Sequence, residues 1–179
     1  MKKIARSIHE LFMQRCFDLA IAGAGKVAPN PMVGSVITHE TNIIGEGYHE
    51  YFGGSHAEVN AIYSVPVTKK KLLPHSTLYV NLEPCCHHGK TPPCTDLIIK
   101  SGIRKIVIAN LDPNKLVCGK GVNRLKRAGC IVHEGICKKE GAWLNRRFFT
   151  FQNLKRPYII QKWAQSARIA HSSQPPLFL

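Results

Sequence analysis

The sequence predicts an α/β fold in which a mixed β-sheet has helices on both faces. Its 179 residues, 44% of them hydrophobic, suit one globular domain with a substantial core. The predicted elements run in the order helix, hairpin, then alternating helices and strands, which predicts a mixed sheet. No apolar run approaches the roughly 18 residues of a membrane span. We therefore expect a protein without a membrane segment.

The first half of the chain predicts a helix followed by a β-hairpin. Apolar residues recur at helical spacing over residues 7–22, and Gly23 and Gly25 then end the helix. Two β-rich runs, 33–38 and 42–47, surround a polar stretch and predict the hairpin.

A second helix is predicted to begin at His56. Ser55 is expected to be its N-cap, and Glu58 occupies the third position, as in a capping box. The remainder of the chain alternates strands and helices. Strands are predicted at 77–82, 105–109 and 131–133, and helices at 95–100, 122–128 and 138–149.

Four residues have the chemistry of a catalytic zinc site. His56, Cys85 and Cys94 supply one imidazole and two thiolates, which leaves a fourth zinc position open. Zinc in such a site lowers the pKa of water from about 15.7 to about 7. Glu58, two residues after the histidine, can carry a proton from water to a departing amine. This set predicts a hydrolytic zinc deaminase.

A purely structural zinc site is the alternative interpretation of the same residues. Structural sites are usually closed by four protein ligands, and Cys86, His87 or His88 could supply the fourth. Glu58 could serve only as an acidic residue in the first helical turn. Its position two residues after a candidate ligand favours the catalytic interpretation.

The cysteine count and the net charge limit the classes of function. Seven cysteines are an odd number, and no apolar signal core follows the basic N-terminus, so we expect free thiols and a cytoplasmic protein. The cysteines outside the predicted site are expected to be core or incidental thiols: Cys16, Cys118, Cys130 and Cys137. The net charge of +14 is dispersed, without interleaved aromatic residues. A solvated basic surface is favoured over a nucleic-acid-binding face, and it would attract a phosphorylated small substrate.

Residues 84–94 resemble one known family, the bacterial riboflavin-biosynthesis deaminases. The family carries P-C-S-H-x-G-x-T-P-P-C, and this chain departs from it only at Cys86, where the family has serine. Further motifs of the family follow the same order along the chain. They are found at 29–34, 45–49, 112–114 and 119–121, and the resemblance extends over residues 8–162.

The resemblance implies a cytidine-deaminase-like three-layer α/β/α fold, zinc as cofactor and residues 1–153 as the deaminase domain. It implies hydrolysis of 2,5-diamino-6-(5-phosphoribosylamino)pyrimidin-4(3H)-one to 5-amino-6-(5-phosphoribosylamino)uracil and ammonia. It further implies that four side chains line the substrate pocket: Asn30, His49, His87 and Lys90.

Residues 154–179 resemble the first strand of the reductase domain that follows the deaminase in this family. The family's Leu-Asp-Gly continuation is missing before Arg168. We expect no reductase activity from this chain and a separate reductase as partner for the next step. A homo-oligomer is also expected.

Two other functions compete with this prediction. A nucleic-acid deaminase of the tRNA adenosine type is favoured only by the charge, and the nine-residue separation of Cys85 and Cys94 disfavours it. A zinc-stabilised binding module without activity is disfavoured by the presence of Glu58 and a complete ligand set.

Overall fold

The computed structural model describes residues 7–87, 92–114 and 118–164. Within these residues the chain forms five strands, six α-helices and a 3₁₀ helix at Val67–His75. The strands are β1 (Gly34–His39), β2 (Asn42–Tyr48), β3 (Thr77–Leu82), β4 (Lys105–Asn110) and β5 (Ile131–Glu134). The α-helices are α1 (Ile8–Ile21), α2 (Ala57–Ser64), α3 (Cys94–Lys100), α4 (Lys120–Arg127), α5 (Lys138–Leu144) and α6 (Arg146–Leu154). No helix in these ranges combines the length and the hydropathy needed to cross a bilayer.

The strands form one mixed sheet in the order β2-β1-β3-β4-β5. β1 is antiparallel to β2 and to β3, whereas β3, β4 and β5 are parallel. The hairpin therefore occupies one side of the sheet and the α/β crossovers the other. The predicted mixed sheet is confirmed.

Alternation along the strands builds a core on each face of the sheet. Ile37, Leu78 and Ile106 face the core beneath α2, α3 and α4. Their neighbours Val36 and Val107 face the opposite core, to which α1 contributes. Successive side chains of a strand point to opposite faces, so a strand that is apolar at every position is buried on both sides. The three-layer α/β/α architecture is confirmed.

Helix α2 lies directly against β2 because two glycines leave no side chain between them. A Cβ atom at Gly45 would lie 2.6 Å from the Ala61 carbonyl oxygen, and one at Gly47 would overlap the Ala61 backbone nitrogen. Contacts this short are sterically forbidden for any larger residue. The glycine pair thereby sets the distance of α2 from the sheet.

The predicted capping of α2 by Ser55 is wrong. His56 is the N-cap, with extended backbone (φ −72°, ψ 159°) and no capping hydrogen bond from its side chain. Its ring contacts cysteine sulfur instead, as described below. A complete capping box does exist at α1, where Ser7 and Glu10 exchange hydrogen bonds, and the sequence analysis had not identified it.

The single C-terminal helix predicted at 138–149 is also wrong, because the chain breaks at Asn145 into α5 and α6. Asn145 has φ −100° and ψ 26°, outside the helical region. Its side-chain amide accepts a hydrogen bond from the Met32 N–H and donates one to the Met32 carbonyl, both at 2.8 Å. These tertiary bonds fix a break that local helix propensity does not indicate.

Candidate active site

His56 is held at the start of α2 in a conformation that directs its ring toward two cysteines. Its Nδ1 atom lies 3.2 Å from the Cys94 sulfur and 3.5 Å from the Cys85 sulfur. Because Nδ1 faces both sulfurs, it is the ring nitrogen available to a shared metal ion.

The two cysteines come from a strand end and a helix start. Cys85 follows β3 after a short turn, and Cys94 is the first residue of α3. The Cys94 N–H donates to the Cys85 sulfur at 3.3 Å, and the Thr95 N–H donates to the Cys85 carbonyl at 3.1 Å. These bonds join the two ends of the segment between the cysteines, so the nine-residue spacing still brings the sulfurs together.

The three side chains fit a zinc ion in both chemistry and distance. Their ligand atoms all lie within 4.8 Å of one another. Zinc–sulfur bonds of about 2.3 Å and zinc–nitrogen bonds of about 2.0 Å at tetrahedral angles separate nitrogen from sulfur by about 3.5 Å. The two nitrogen–sulfur distances match that separation. Hydrogen bonds from Cys94 and His56 lower the pKa of Cys85, which favours the ligating thiolate.

Glu58 lies beside this cluster and is almost completely buried, with 3% of its surface exposed. Burial raises the pKa of Glu58 to about 7, while the nearby His56 opposes that shift. Interaction with the Cys94 thiol also lowers the pKa of the Glu58 carboxyl. The structure thus places the predicted proton carrier next to the predicted metal ligands.

The cluster opens into a cavity of about 220 Å³ at the carboxyl ends of β3 and β4. Ligands bind at this end of the strands in open α/β sheets. Residues from the segments on either side of the hairpin, from the start of α2, from the end of β3, from the segments after β3 and β4 and from α6 line the cavity. They include Asn30, Val33, His49, His56, Glu58, Leu82, Glu83, Cys85, His87, Asp112, Asn114 and Phe148.

Asn30 and His49 form a hydrogen-bonded pair on one wall of this cavity. His49 Nδ1 lies 3.0 Å from the Ser55 carbonyl, which can only accept, so Nδ1 carries the proton. Nε2 is therefore the acceptor for the Asn30 amide N–H at 3.1 Å. Burial lowers the pKa of His49, which agrees with a neutral ring. The pair orients the Asn30 amide beside the cluster.

Of the two other residues predicted to line the pocket, the structure describes only His87. His87 lines the cavity and is exposed at its rim. Lys90 lies outside the described residues. Cys86, the one departure from the family motif, lines a separate groove with Lys120 and residues of α4. Within the described residues, no disulfide joins any of the cysteines.

Four polar or aromatic residues of the cavity had no role predicted from the sequence: Glu83, Asp112, Asn114 and Phe148. Asp112 and Asn114 belong to a motif recognised only as part of the resemblance. They follow β4, which runs parallel to β3, so the position of Cys85 after β3 was a usable signal. Burial raises the pKa of Asp112 to about 6, and a hydrogen bond from the Asn114 N–H opposes this shift.

Comparison with known proteins agrees with this geometry. Residues 6–110 match the family model for the cytidine and deoxycytidylate deaminase zinc-binding region. The diaminohydroxyphosphoribosylamino-pyrimidine deaminase of Buchnera aphidicola subsp. Acyrthosiphon pisum is 44% identical over 138 residues, which cover 77% of this chain and 91% of that protein. The chain belongs to this family of zinc-binding deaminases.

Longer members of the family are similar over the same region. The riboflavin biosynthesis protein RibD of Actinobacillus pleuropneumoniae is 49% identical over 156 residues, covering 87% of this chain and 40% of the relative. The chain thus spans about two fifths of the length of such relatives. The solved structure of a Thermotoga maritima deaminase/reductase has a TM-score of 0.77 and 48% identity, covering 84% of this chain and 43% of that one. The expected cytidine-deaminase-like fold is confirmed.

Proposed function

We propose that this protein hydrolyses 2,5-diamino-6-(5-phosphoribosylamino)pyrimidin-4(3H)-one to the corresponding aminouracil and ammonia. The observation that carries the proposal is the placement of a buried carboxylate, Glu58, against a histidine–cysteine–cysteine cluster on the floor of a cavity. The Buchnera relative, almost all of which this chain covers, is named for that deamination.

We propose His56, Cys85 and Cys94 as the zinc ligands. Zinc held by one imidazole and two thiolates supplies Lewis acidity that makes water a nucleophile at neutral pH. The chain contributes the geometry, because α2, α3 and the turn after β3 present the ligand atoms within 4.8 Å of one another.

Glu58 is proposed to move the protons of the reaction. Water adds to the amine-bearing ring carbon while Glu58 accepts its proton, and the same carboxyl then protonates the departing amine. The carbon–nitrogen bond breaks and ammonia leaves, and the remaining hydroxyl proton passes to the adjacent ring nitrogen as the carbonyl forms. One water molecule is consumed, and Glu58 returns to its starting form.

Substrate recognition is assigned to the walls of the cavity. His49 orients the Asn30 amide, which can pair with the hydrogen-bonding edge of a pyrimidine. His87 at the rim and Lys90, both implied by the family resemblance, are proposed for the remainder of the substrate, and a lysine there would suit the phosphate. Asp112 faces the same cavity.

We further propose a cytoplasmic homo-oligomer in which residues 1–153 form the deaminase unit. The absence of disulfides among the cysteines of the described residues fits a reducing compartment. The Thermotoga maritima relative is named as both a deaminase and a phosphoribosylaminouracil reductase. A reductase acting on the product is therefore the expected partner.

The deciding experiment measures ammonia release by the zinc-loaded chain from the phosphoribosylated pyrimidine and, separately, from tRNA. We expect release from the pyrimidine, with appearance of the aminouracil in equal amount. Release from tRNA alone would replace the proposal with a nucleic-acid deaminase. Release from neither substrate would reject the proposed reaction.

A further inference from the structure

Glu83 is a buried carboxylate that the proposed chemistry does not use. It lies between the end of β3 and the Pro84-Cys85 pair, and only 4% of its surface is exposed. Its polar partners are backbone N–H groups, and no salt bridge within the described residues involves it. Burying a carboxylate is costly unless hydrogen bonds compensate, so its partners indicate what it stabilises.

Three backbone N–H groups from distant positions donate to the Glu83 carboxylate. Asp112 and Gly119 donate to Oε2 at 3.2 and 2.9 Å, and Val122 donates to Oε1 at 3.1 Å. Two of these donors belong to the N-terminal end of α4, where backbone N–H groups lack helical partners and favour a negative charge. Bonds to an ionised acceptor are stronger than bonds to a neutral one.

The N-terminal end of α4 also touches the turn that follows β3. A Cβ atom at Gly121 would overlap the Pro84 carbonyl oxygen and would lie 3.1 Å from Glu83 Oε1. Only glycine permits this approach. The turn before Cys85 and the start of α4 are therefore in direct backbone contact.

Glu83 thereby connects the two sides of the cavity. On one side, Cys85 follows two residues later and belongs to the metal-site cluster. On the other side, Glu83 holds the backbone of Asp112, whose side chain lines the cavity and accepts a hydrogen bond from the Asn114 N–H at 2.8 Å. A shift of the 112–114 segment would move the substrate-facing wall relative to the metal cluster.

We propose that Glu83 is a positioning residue that sets the 112–114 wall at its working distance from Cys85, an inference that rests on the proposed function. Both carboxylate oxygens of Glu83 accept backbone N–H groups, so Glu83 is assigned no direct role at the reacting carbon or in proton transfer. Its loss is expected to weaken substrate binding while the zinc ligands stay in place, so the effect falls on KM more than on kcat.

The test compares Glu83→Gln with Glu134→Gln, using the zinc-loaded full chain. Glutamine has the shape of glutamate, but its NH₂ group cannot accept one of the three N–H groups. Glu134 is a matched control, because its carboxylate also contacts α4, through Lys126 at 2.8 Å, outside the cavity. We expect Glu83→Gln to raise KM about tenfold or more, with kcat within about threefold and zinc at one ion per chain. Glu134→Gln is expected to have the same KM, kcat and zinc content as the unchanged chain.

Unchanged kinetic constants in Glu83→Gln would overturn the proposal, and so would a loss of zinc and kcat at constant KM. Amide hydrogen exchange of the unchanged chain supplies a second test that does not require the variant to fold. The Asp112, Gly119 and Val122 amides are expected to be protected, although the first two lie outside helices and strands. Exchange of these amides at the rate of open loops would reject the arrangement.

Failure of the proposed function can be distinguished from failure of this inference. If the unchanged chain does not act on the pyrimidine, the proposed reaction is rejected. The positioning role of Glu83 for that substrate is then rejected as well. If the unchanged chain is active and Glu83→Gln behaves like the control, only the role of Glu83 is rejected.

Discussion

Helix α2 begins at the cavity and α4 begins behind Glu83 on the cavity wall, and their N-terminal ends are used differently. Both helices are eight residues long, and neither has a capping hydrogen bond from its own N-cap side chain. At α2 the N-cap is His56, whose ring contacts two cysteine sulfurs. At α4 the N-cap is Gly119, and Glu83 from another segment accepts the N–H groups there.

This difference indicates that the N-terminal end of α2 carries out chemistry, whereas the N-terminal end of α4 positions the cavity wall. The N-terminal end of α2 presents reactive groups to the cavity, so changes there should alter catalysis without moving the backbone. The N-terminal end of α4 is joined to the turn before Cys85. Changes there should therefore alter the position of the 112–114 segment in the cavity wall. The following predictions test this distinction, beginning with the group expected to matter most.

Replacement of a proposed zinc ligand should cause the largest loss of zinc and of activity. In Cys85→Ser and Cys94→Ser, a hydroxyl takes the place of the thiolate that holds the metal. We expect most of the zinc to be lost and activity to fall below about 1%. Metal analysis of the purified variants measures the first effect and ammonia release the second.

Cys118→Ser is the matched control for both variants, because Cys118 is an exposed free thiol. It should retain one zinc ion per chain. Full zinc retention in either ligand variant would remove that cysteine from the proposed ligand set.

Glu58→Gln should keep zinc and the fold but lose activity about 10²–10⁴-fold, because the amide cannot transfer the proton. The comparison of helices predicts that kcat falls while substrate binding is preserved. Steady-state kinetics and zinc content measured on the same preparation check this expectation. Near-normal turnover would mean that another group carries the proton.

Asn30→Ala should have a smaller effect, carried mainly by KM. The substitution removes one amide that can pair with the substrate, a neutral hydrogen bond worth about 0.5–1.5 kcal/mol. We expect kcat/KM to fall about three- to tenfold, with zinc retained. Asn123→Ala is the control, because Asn123 lies on α4 and lines the separate groove. Equal effects of the two variants would argue against a substrate contact by Asn30.

The other end of α4 should be the least sensitive position. Glu134 pairs with Lys126 at 2.8 Å, with 33% and 50% of the respective side chains exposed. Exposed ion pairs contribute about 0–1 kcal/mol to the free energy of unfolding. Denaturant unfolding of Glu134→Gln should therefore show a change below about 1 kcal/mol and unchanged activity. A larger loss would show that this end of α4 is also fixed to the sheet by its side chains.

The fold and the metal cluster were accessible from sequence because their signals are local or periodic. Strand alternation and helical spacing predict the mixed sheet, and the residue types at 56, 58, 85 and 94 predict the cluster. The structure brings His56, Cys85 and Cys94 together as expected. Their assignment as zinc ligands, with Glu58 as proton carrier, stays a prediction.

Features that depend on long-range contacts could not be predicted. The break at Asn145 depends on hydrogen bonds to Met32, 113 positions earlier in the chain. The role of Glu83 depends on partners 29 to 39 positions later. Ser55 was misassigned as a cap because propensity favours serine, whereas the extended backbone of His56 directs its ring to the cysteines.

The contact of α2 with β2 through Gly45 and Gly47 has a mechanical consequence. Most helices rest on a sheet through a layer of side chains that can change rotamer and absorb small displacements. At Gly45 and Gly47 the backbone of β2 instead meets the backbone of α2, the helix that carries Glu58 and has His56 as its N-cap, with no side chain between them. Small motions of α2 must therefore follow those of the hairpin. The side chains of His56 and Glu58 are held at a nearly fixed distance from the sheet.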